Sequence, residues 1–174
     1  MKKNNKTNNI INLSNLLKKR RINSTNSAYP LLDDAFSSED LMKGINVILT
    51  GQLTMSKVTL KFEKEFAKKL KAKYAVMVNS GSSANLLATF ASCNPLRKNK
   101  FKPGDEALIQ SLCWPTSLWP LTQTGLKPIF VDVNPKSLNL DADVLLKKIT
   151  SKTKVIMIIH VLGNSSNIEK IRNE

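Results

Sequence analysis

Three short clusters carry the residue types that could do chemistry: Ser80-Gly81-Ser82-Ser83, Ser111-Leu112-Cys113-Trp114-Pro115-Thr116, and His160-Val161-Leu162-Gly163-Asn164. The first is a Gly-Ser turn between a short apolar run and a helix-forming run, an arrangement that makes an anion site. The first N–H groups of a helix have no intrahelical acceptor and sit at the positive end of its dipole, so a phosphate placed there gains charge-assisted hydrogen bonds. Ser82 and Ser83 would add two hydroxyl donors, and Gly81 lets the backbone approach a ligand closely. The competing reading is that these serines only cap a helix, which serine favours whatever the ligand. The turn has no G-x-G-x-x-G pattern, and no lysine follows it as a P-loop requires, so a phosphate held here would belong to another cofactor.

Trp114 offers a flat face for stacking or, as the plainer alternative, bulk for a core. His160, the only histidine, reads as a satisfied buried hydrogen-bonding group in preference to a catalyst. A lone histidine without an evident catalytic partner gives no triad, and no histidine pair exists to hold a metal.

These clusters must be positioned by regular elements, and from residue 74 onward the pattern alternates strand and helix. The spacing predicts strands at 74–79, 106–111, 128–133 and 155–160, each followed by a helix, at 83–92, 116–124, 141–149 and 167–172. Four such units predict an α/β fold with a mostly parallel sheet and helices on both faces. Ligands in open α/β sheets bind outside the carboxyl ends of the strands, where all three clusters fall. Anion site, aromatic face and imidazole together would suit a phosphorylated planar ring. Lys102-Pro-Gly-Asp105 and Gly125-Leu-Lys-Pro128 are turns that feed strands, and Asp105 and Asp132 are read as turn residues in preference to catalytic carboxylates.

Ahead of this repeat, order is expected to begin near Tyr29. Ser37-Ser-Glu-Asp40 reads as a cap before a helix through Leu41, Ile45 and Ile48. Gly51-Gln-Leu-Thr-Met-Ser56 breaks it, and a second helix over 58–70 aligns Leu60, Phe62, Phe66 and Leu70 in one apolar stripe.

The chain has 174 residues, 41% of them hydrophobic and 23% charged, as expected of one globular domain. Its net charge of +14 is unevenly placed. Residues 1–28 hold seven basic side chains and no acid, leaving 20 basic against 13 acidic residues elsewhere. Rich in Asn, Ser and Thr, that segment reads as a basic, disordered arm, with 29–174 as the folded part. The arm lacks the aromatics interleaved with basic residues that base stacking favours, so nucleic acid is not the expected partner. A noncatalytic basic module contacting nucleic acid or another acidic partner remains the alternative, and it predicts binding that vanishes with the arm and falls steeply with salt. No apolar run approaches the roughly 20 residues needed to span a bilayer, and the expectation is a cytoplasmic protein with no membrane partner. Cys93 and Cys113, without C-x-x-C spacing, read as core thiols.

The succession Val78-Asn-Ser-Gly-Ser-Ser-Ala84, Lys102-Pro-Gly-Asp-Glu106, Gly125-Leu-Lys-Pro-Ile-Phe-Val-Asp-Val133 and Thr153-Lys-Val-Ile-Met-Ile-Ile-His160 resembles the DegT-type family of pyridoxal-phosphate sugar enzymes. The resemblance implies the amino-terminal part of the large domain of a fold type I PLP-dependent transferase. It also implies a nucleotide-linked keto sugar as substrate, a homodimer, and a role in surface polysaccharide (lipopolysaccharide) biosynthesis. The cofactor would be pyridoxal 5′-phosphate or pyridoxamine 5′-phosphate, its phosphate held by Gly81, Ser82 and Ser83 and its ring stacked on Trp114. His160 would be a pocket neighbour and not a catalyst. Gly51-Gln-Leu-Thr-Met-Ser56 is similar to the family's glycine-containing loop, with Ser56 where many members have a second glycine.

Ser83-Ala-Asn-Leu-Leu87, Trp114-Pro-Thr116 and His160-Val-Leu-Gly-Asn164 are closer in look to the CDP-hexulose 3-dehydratases than to the aminotransferases. The dehydratases carry a histidine where the aminotransferases carry the Schiff-base lysine. The resemblance places that residue, and the aspartate that pairs with the pyridine nitrogen, beyond Glu174. The expectation is therefore a fragment that, as written, has no catalytic residue of its own and does not turn over.

Overall fold

The computed structural model describes Asn15, residues 36–54 and residues 56–173. Of the predicted basic arm only Asn15 lies within that set; the rest, and the expected start of order near Tyr29, lie outside the described residues. The chain divides into two compact units, one up to Met77 and one from Val78.

The first unit is helical. Helix α1 (Ser38–Leu49) opens with the predicted capping box: the Asp40 backbone N–H donates to Ser37 Oγ, and Ser37 N–H returns a bond to the Asp40 carboxylate at 2.9 Å. Gly51 ends the helix at φ +71°, a left-handed conformation that glycine adopts without steric cost. Helix α2 (Lys57–Lys69) starts at Ser56, whose buried Oγ accepts from the N–H groups of Val58 and Thr59. Ser56 is therefore an N-cap.

Residues 74–79, predicted as a buried strand, form none. Tyr74, Val76 and Met77 are exposed, and no strand pairing among the described residues includes them. A strand needs a hydrogen-bonded neighbour, and here the Met77 N–H is satisfied by the Glu63 carboxylate of α2 at 2.8 Å.

The second unit is α/β. Helix α3 (Gly81–Ser92) is followed by β1 (Glu106–Gln110), α4 (Pro115–Gln123), β2 (Lys127–Val131), α5 (Ala142–Lys148), β3 (Thr153–Met157), a 3₁₀ turn at Val161–Gly163, and α6 (Ile168–Arg172). The three strands run parallel in the order β2-β1-β3, so the chain moves from β1 to one neighbour and then crosses to the other side. Alternation along β1 divides the core. Ala107 and Ile109 meet Leu118 and Leu121 of α4 on one face, while Leu108 meets Leu145 of α5 and Ile171 of α6 on the other. Helices thus cover both faces, as the alternating pattern predicts.

Two turns at the amino ends of the strands pack on each other. The Gly104 N–H donates to the Gly125 carbonyl at 2.8 Å, and a Cβ at Gly125 would stand 3.0 Å from the Pro103 side chain. Asp105 closes its own turn by accepting from the Lys102 N–H, the turn role expected of it. Asp132 lies exposed just past β2 and shares a backbone bond with Asp141. Strand β3 starts and ends earlier than predicted, with an irregularity in register opposite Glu106 and Ala107. His160 consequently lies three residues beyond its end.

Candidate functional site

Helix α3 begins two or three residues earlier than a cap at Ser82 or Ser83 would require. Ser80 is the N-cap: its Oγ accepts from the Ser83 N–H at 3.1 Å, and its carbonyl accepts from Ala84. Gly81, Ser82 and Ser83 therefore form the first turn. The N–H groups of Gly81 and Ser82 have no acceptor among the described residues, and the first turn carries no acidic side chain. A Cβ added at Gly81 would meet no protein atom within 4 Å, so open space lies beside these donors. Two free N–H groups, an exposed Ser82 and an unneutralised dipole end fit a phosphate dianion.

Trp114 is 73% exposed, which removes the reading that it fills core. It stands at the N-cap position of α4 in extended conformation, φ −73° and ψ 140°, as a residue before proline prefers. Pro115 thus stiffens the backbone that presents the indole. Its neighbour Cys113 is half-buried against the core, and that burial pushes its thiol pKa up.

Helices α3 and α4 pair where α4 lacks a backbone hydrogen. Pro120 lies inside α4 and has no N–H to give the carbonyl of Thr116 four residues earlier. Asn85, on the second turn of α3, supplies a donor instead: its Nδ2 lies 3.5 Å from both the Thr116 carbonyl and the buried Ser117 Oγ. The second turn of α3 is thereby held against the first turn of α4, the helix that Trp114 precedes.

His160 is exposed, and its Nδ1 accepts the Ser166 N–H at 3.1 Å. In the neutral ring this assigns the proton to Nε2. Its segment is fastened by Asn139, which is nearly fully buried: Oδ1 accepts from Val161 and Nδ2 donates to the Asn164 carbonyl at 2.9 Å. Ser166 Oγ is buried nearby without a hydrogen-bond partner.

Sequence reasoning missed three amides, Asn85, Gln110 and Asn139. Gln110 had a legible signal, a polar residue ending the apolar run Ala107-Leu-Ile just before a cluster of interest. Asn85 and Asn139 had none, since a helical Asn and a loop Asn are both ordinary on a surface. No group of three or more metal-ligating side chains occurs among the described residues, and no helix there is long and apolar enough to cross a membrane.

A parallel sheet ordered β2-β1-β3 with helices on both faces, an exposed indole just past β1 and a bare start to α3 define an α/β protein with a candidate anion site. Residues 36–173 match the DegT/DnrJ/EryC1/StrS aminotransferase family, and the chain belongs to that family. It is 39% identical over 143 residues to a GDP-4-keto-6-deoxy-D-mannose 3-dehydratase of Yersinia pseudotuberculosis, covering 82% of this chain and 36% of the relative. It is 36% identical over 147 residues to the lipopolysaccharide biosynthesis protein RfbH of Salmonella typhimurium, covering 84% and 34%. Among solved structures, the Escherichia coli GDP-4-keto-6-deoxy-D-mannose 3-dehydratase with bound hydrated PLP superposes with a TM-score of 0.77 at 36% identity. That match covers 83% of this chain and 37% of the solved one. The chain thus spans little more than a third of the length of these relatives, and what it supplies is part of a PLP-dependent transferase fold.

Proposed function

We propose that this chain forms the cofactor-phosphate and ring-stacking part of a PLP- or PMP-dependent nucleotide-sugar enzyme, with 3-dehydration of a nucleoside-diphosphate 4-keto-6-deoxyhexose as its reaction. The observation that carries the reading is the α3 start, with two acceptorless N–H groups, on a helix joined through Asn85 to the one that the exposed Trp114 precedes. Gly81, Ser82 and Ser83 would hold the phosphate; Trp114 would lie against the ring and keep water from that face. When bound, the cofactor supplies the electron-withdrawing ring that makes removal of the sugar hydroxyl feasible. His160, with its proton on Nε2, is a hydrogen-bond donor at the rim. The names of the relatives favour dehydration and surface polysaccharide synthesis; the nucleotide in the Yersinia name is GDP, whereas the resemblance in sequence pointed to CDP. A homodimer, on the resemblance alone, and action in the cytoplasm complete the proposal.

Titration of the chain with pyridoxamine 5′-phosphate and with inorganic phosphate tests it. Trp114→Ala is expected to cost about tenfold in affinity for the cofactor and to spare phosphate, while Ser82→Ala weakens both. Unchanged cofactor affinity in both variants overturns the reading. In a polypeptide carrying this chain, loss of the C3 hydroxyl without amino transfer identifies the dehydratase, and an amino sugar formed from glutamate identifies the aminotransferase.

A further inference from the structure

The central strand parts from its two neighbours at different heights. Between β1 and β3 the ladder ends at Ile109 and Met157, whereas β1 and β2 stay paired through Gln110 and Val131 and the Ser111 N–H still reaches the Val131 carbonyl at 2.8 Å. A fork therefore opens on the β3 side of β1. This is also the place where the chain order reverses across the sheet, the usual position of a ligand crevice.

One side chain spans the fork. Gln110 is 0% exposed; its Nε2 donates to the Leu112 carbonyl at 2.8 Å and its Oε1 accepts from the Ile159 N–H at 3.2 Å. Leu112 lies two residues before Trp114, and Ile159 immediately precedes His160. The amide takes over where the backbone ladder stops, using a donor and an acceptor at once. Hydrocarbon at this position could supply neither, and it would take this partner from both the Leu112 carbonyl and the Ile159 N–H.

Resting on the function proposed above, we propose that Gln110 is a positioning residue: it fixes the Trp114-bearing and His160-bearing loops relative to each other across the crevice. It touches neither cofactor nor substrate. Its effect passes through the placement of the stacking face and of the imidazole.

The test compares the parent chain with Gln110→Met and Gln110→Glu, using circular dichroism to confirm that each folds. Gln110→Met removes both bonds at nearly constant length. Without any ligand, amide exchange at Ile159 is expected to quicken and the indole N–H resonance of Trp114 to shift; unchanged exchange and resonance overturn the proposal. With ligand, affinity for pyridoxamine 5′-phosphate is expected to fall about tenfold while affinity for inorganic phosphate holds within about twofold, because the α3 turn is untouched. Equal loss of both ligands overturns the proposal, since it marks general loosening. Gln110→Glu keeps the shape, and its neutral carboxyl can both donate and accept, whereas the ionised form can only accept. That variant should behave like the parent at low pH and like Gln110→Met once the carboxyl ionises; the two loops also carry Cys113 and His160, so the parent is carried through the same pH series. If the parent takes up neither ligand, the cofactor reading falls, and the Ile159 and Trp114 measurements still decide the clamp by themselves.

Discussion

Leu60 of α2 and Leu108 of β1 each sit on an apolar stripe that periodicity marks as inward-facing, yet Leu108 is 0% exposed and Leu60 is 59% exposed. The difference is one of partners. Around Leu108, alternation along three paired strands places apolar side chains against helices on both faces. On α2, Phe62 and Phe66 stack on each other with ring centres 5.4 Å apart, but both remain substantially exposed, as do Leu60 and Leu70. Periodicity states which side of an element seeks cover, and only the rest of the fold states what covers it.

The largest expected effect tests that contrast directly. Leu108→Ala should destabilise the α/β unit by roughly 2–5 kcal/mol, the range for a truncated buried leucine. Leu60→Ala should stay within about 0.5 kcal/mol, as surface changes do. Denaturant midpoints measure both, and equal costs would erase the distinction between the two regions.

A smaller effect should be shared by both units. Ser56→Ala and Ser80→Ala each remove a side-chain cap, at about 1 kcal/mol apiece. Ser80→Ala should cost less when phosphate is present than absent, because bound anion supports the same helix start; Ser56→Ala should show no such dependence.

The smallest effect lies at the capping box of α1. The side-chain hydrogen bond from Ser37 holds the Asp40 carboxyl below the usual carboxylate range, helped by the Ser37 backbone N–H and by Lys43. A pKa lowered on folding stabilises above the unfolded value and is lost as the pH falls through the folded one. The helical signal of the parent should therefore exceed that of Asp40→Ala at neutral pH and converge with it in acid. Both curves running parallel into acid would remove the carboxylate from the account.

Much of the fold was legible. Ser37-Ser-Glu-Asp40, Gly51, and the strand-helix alternation from β1 to α6 each declare themselves through local chemistry, so element type and parallel pairing followed. Residues 74–79 did not, because an apolar run reads as a strand whether or not a neighbour exists to complete its hydrogen bonds. The α3 start was placed two or three residues late because Ser80, Ser82 and Ser83 are equally good caps on paper. Within the candidate site, Ser82 and Trp114 were singled out and face solvent, whereas the amides Asn85, Gln110 and Asn139 were not singled out. A polar group that serves another residue's backbone has no periodicity of its own.

Pro120 has a consequence for anyone seeking to improve this molecule. By intrinsic propensity an alanine there would be the better helix former by about 3 kcal/mol, and a design scale would choose it at once. The new amide would claim the carbonyl that Asn85 now reaches, so the local gain would come at the expense of the neighbouring helix's berth. What looks like a defect in one helix is the address at which the other docks.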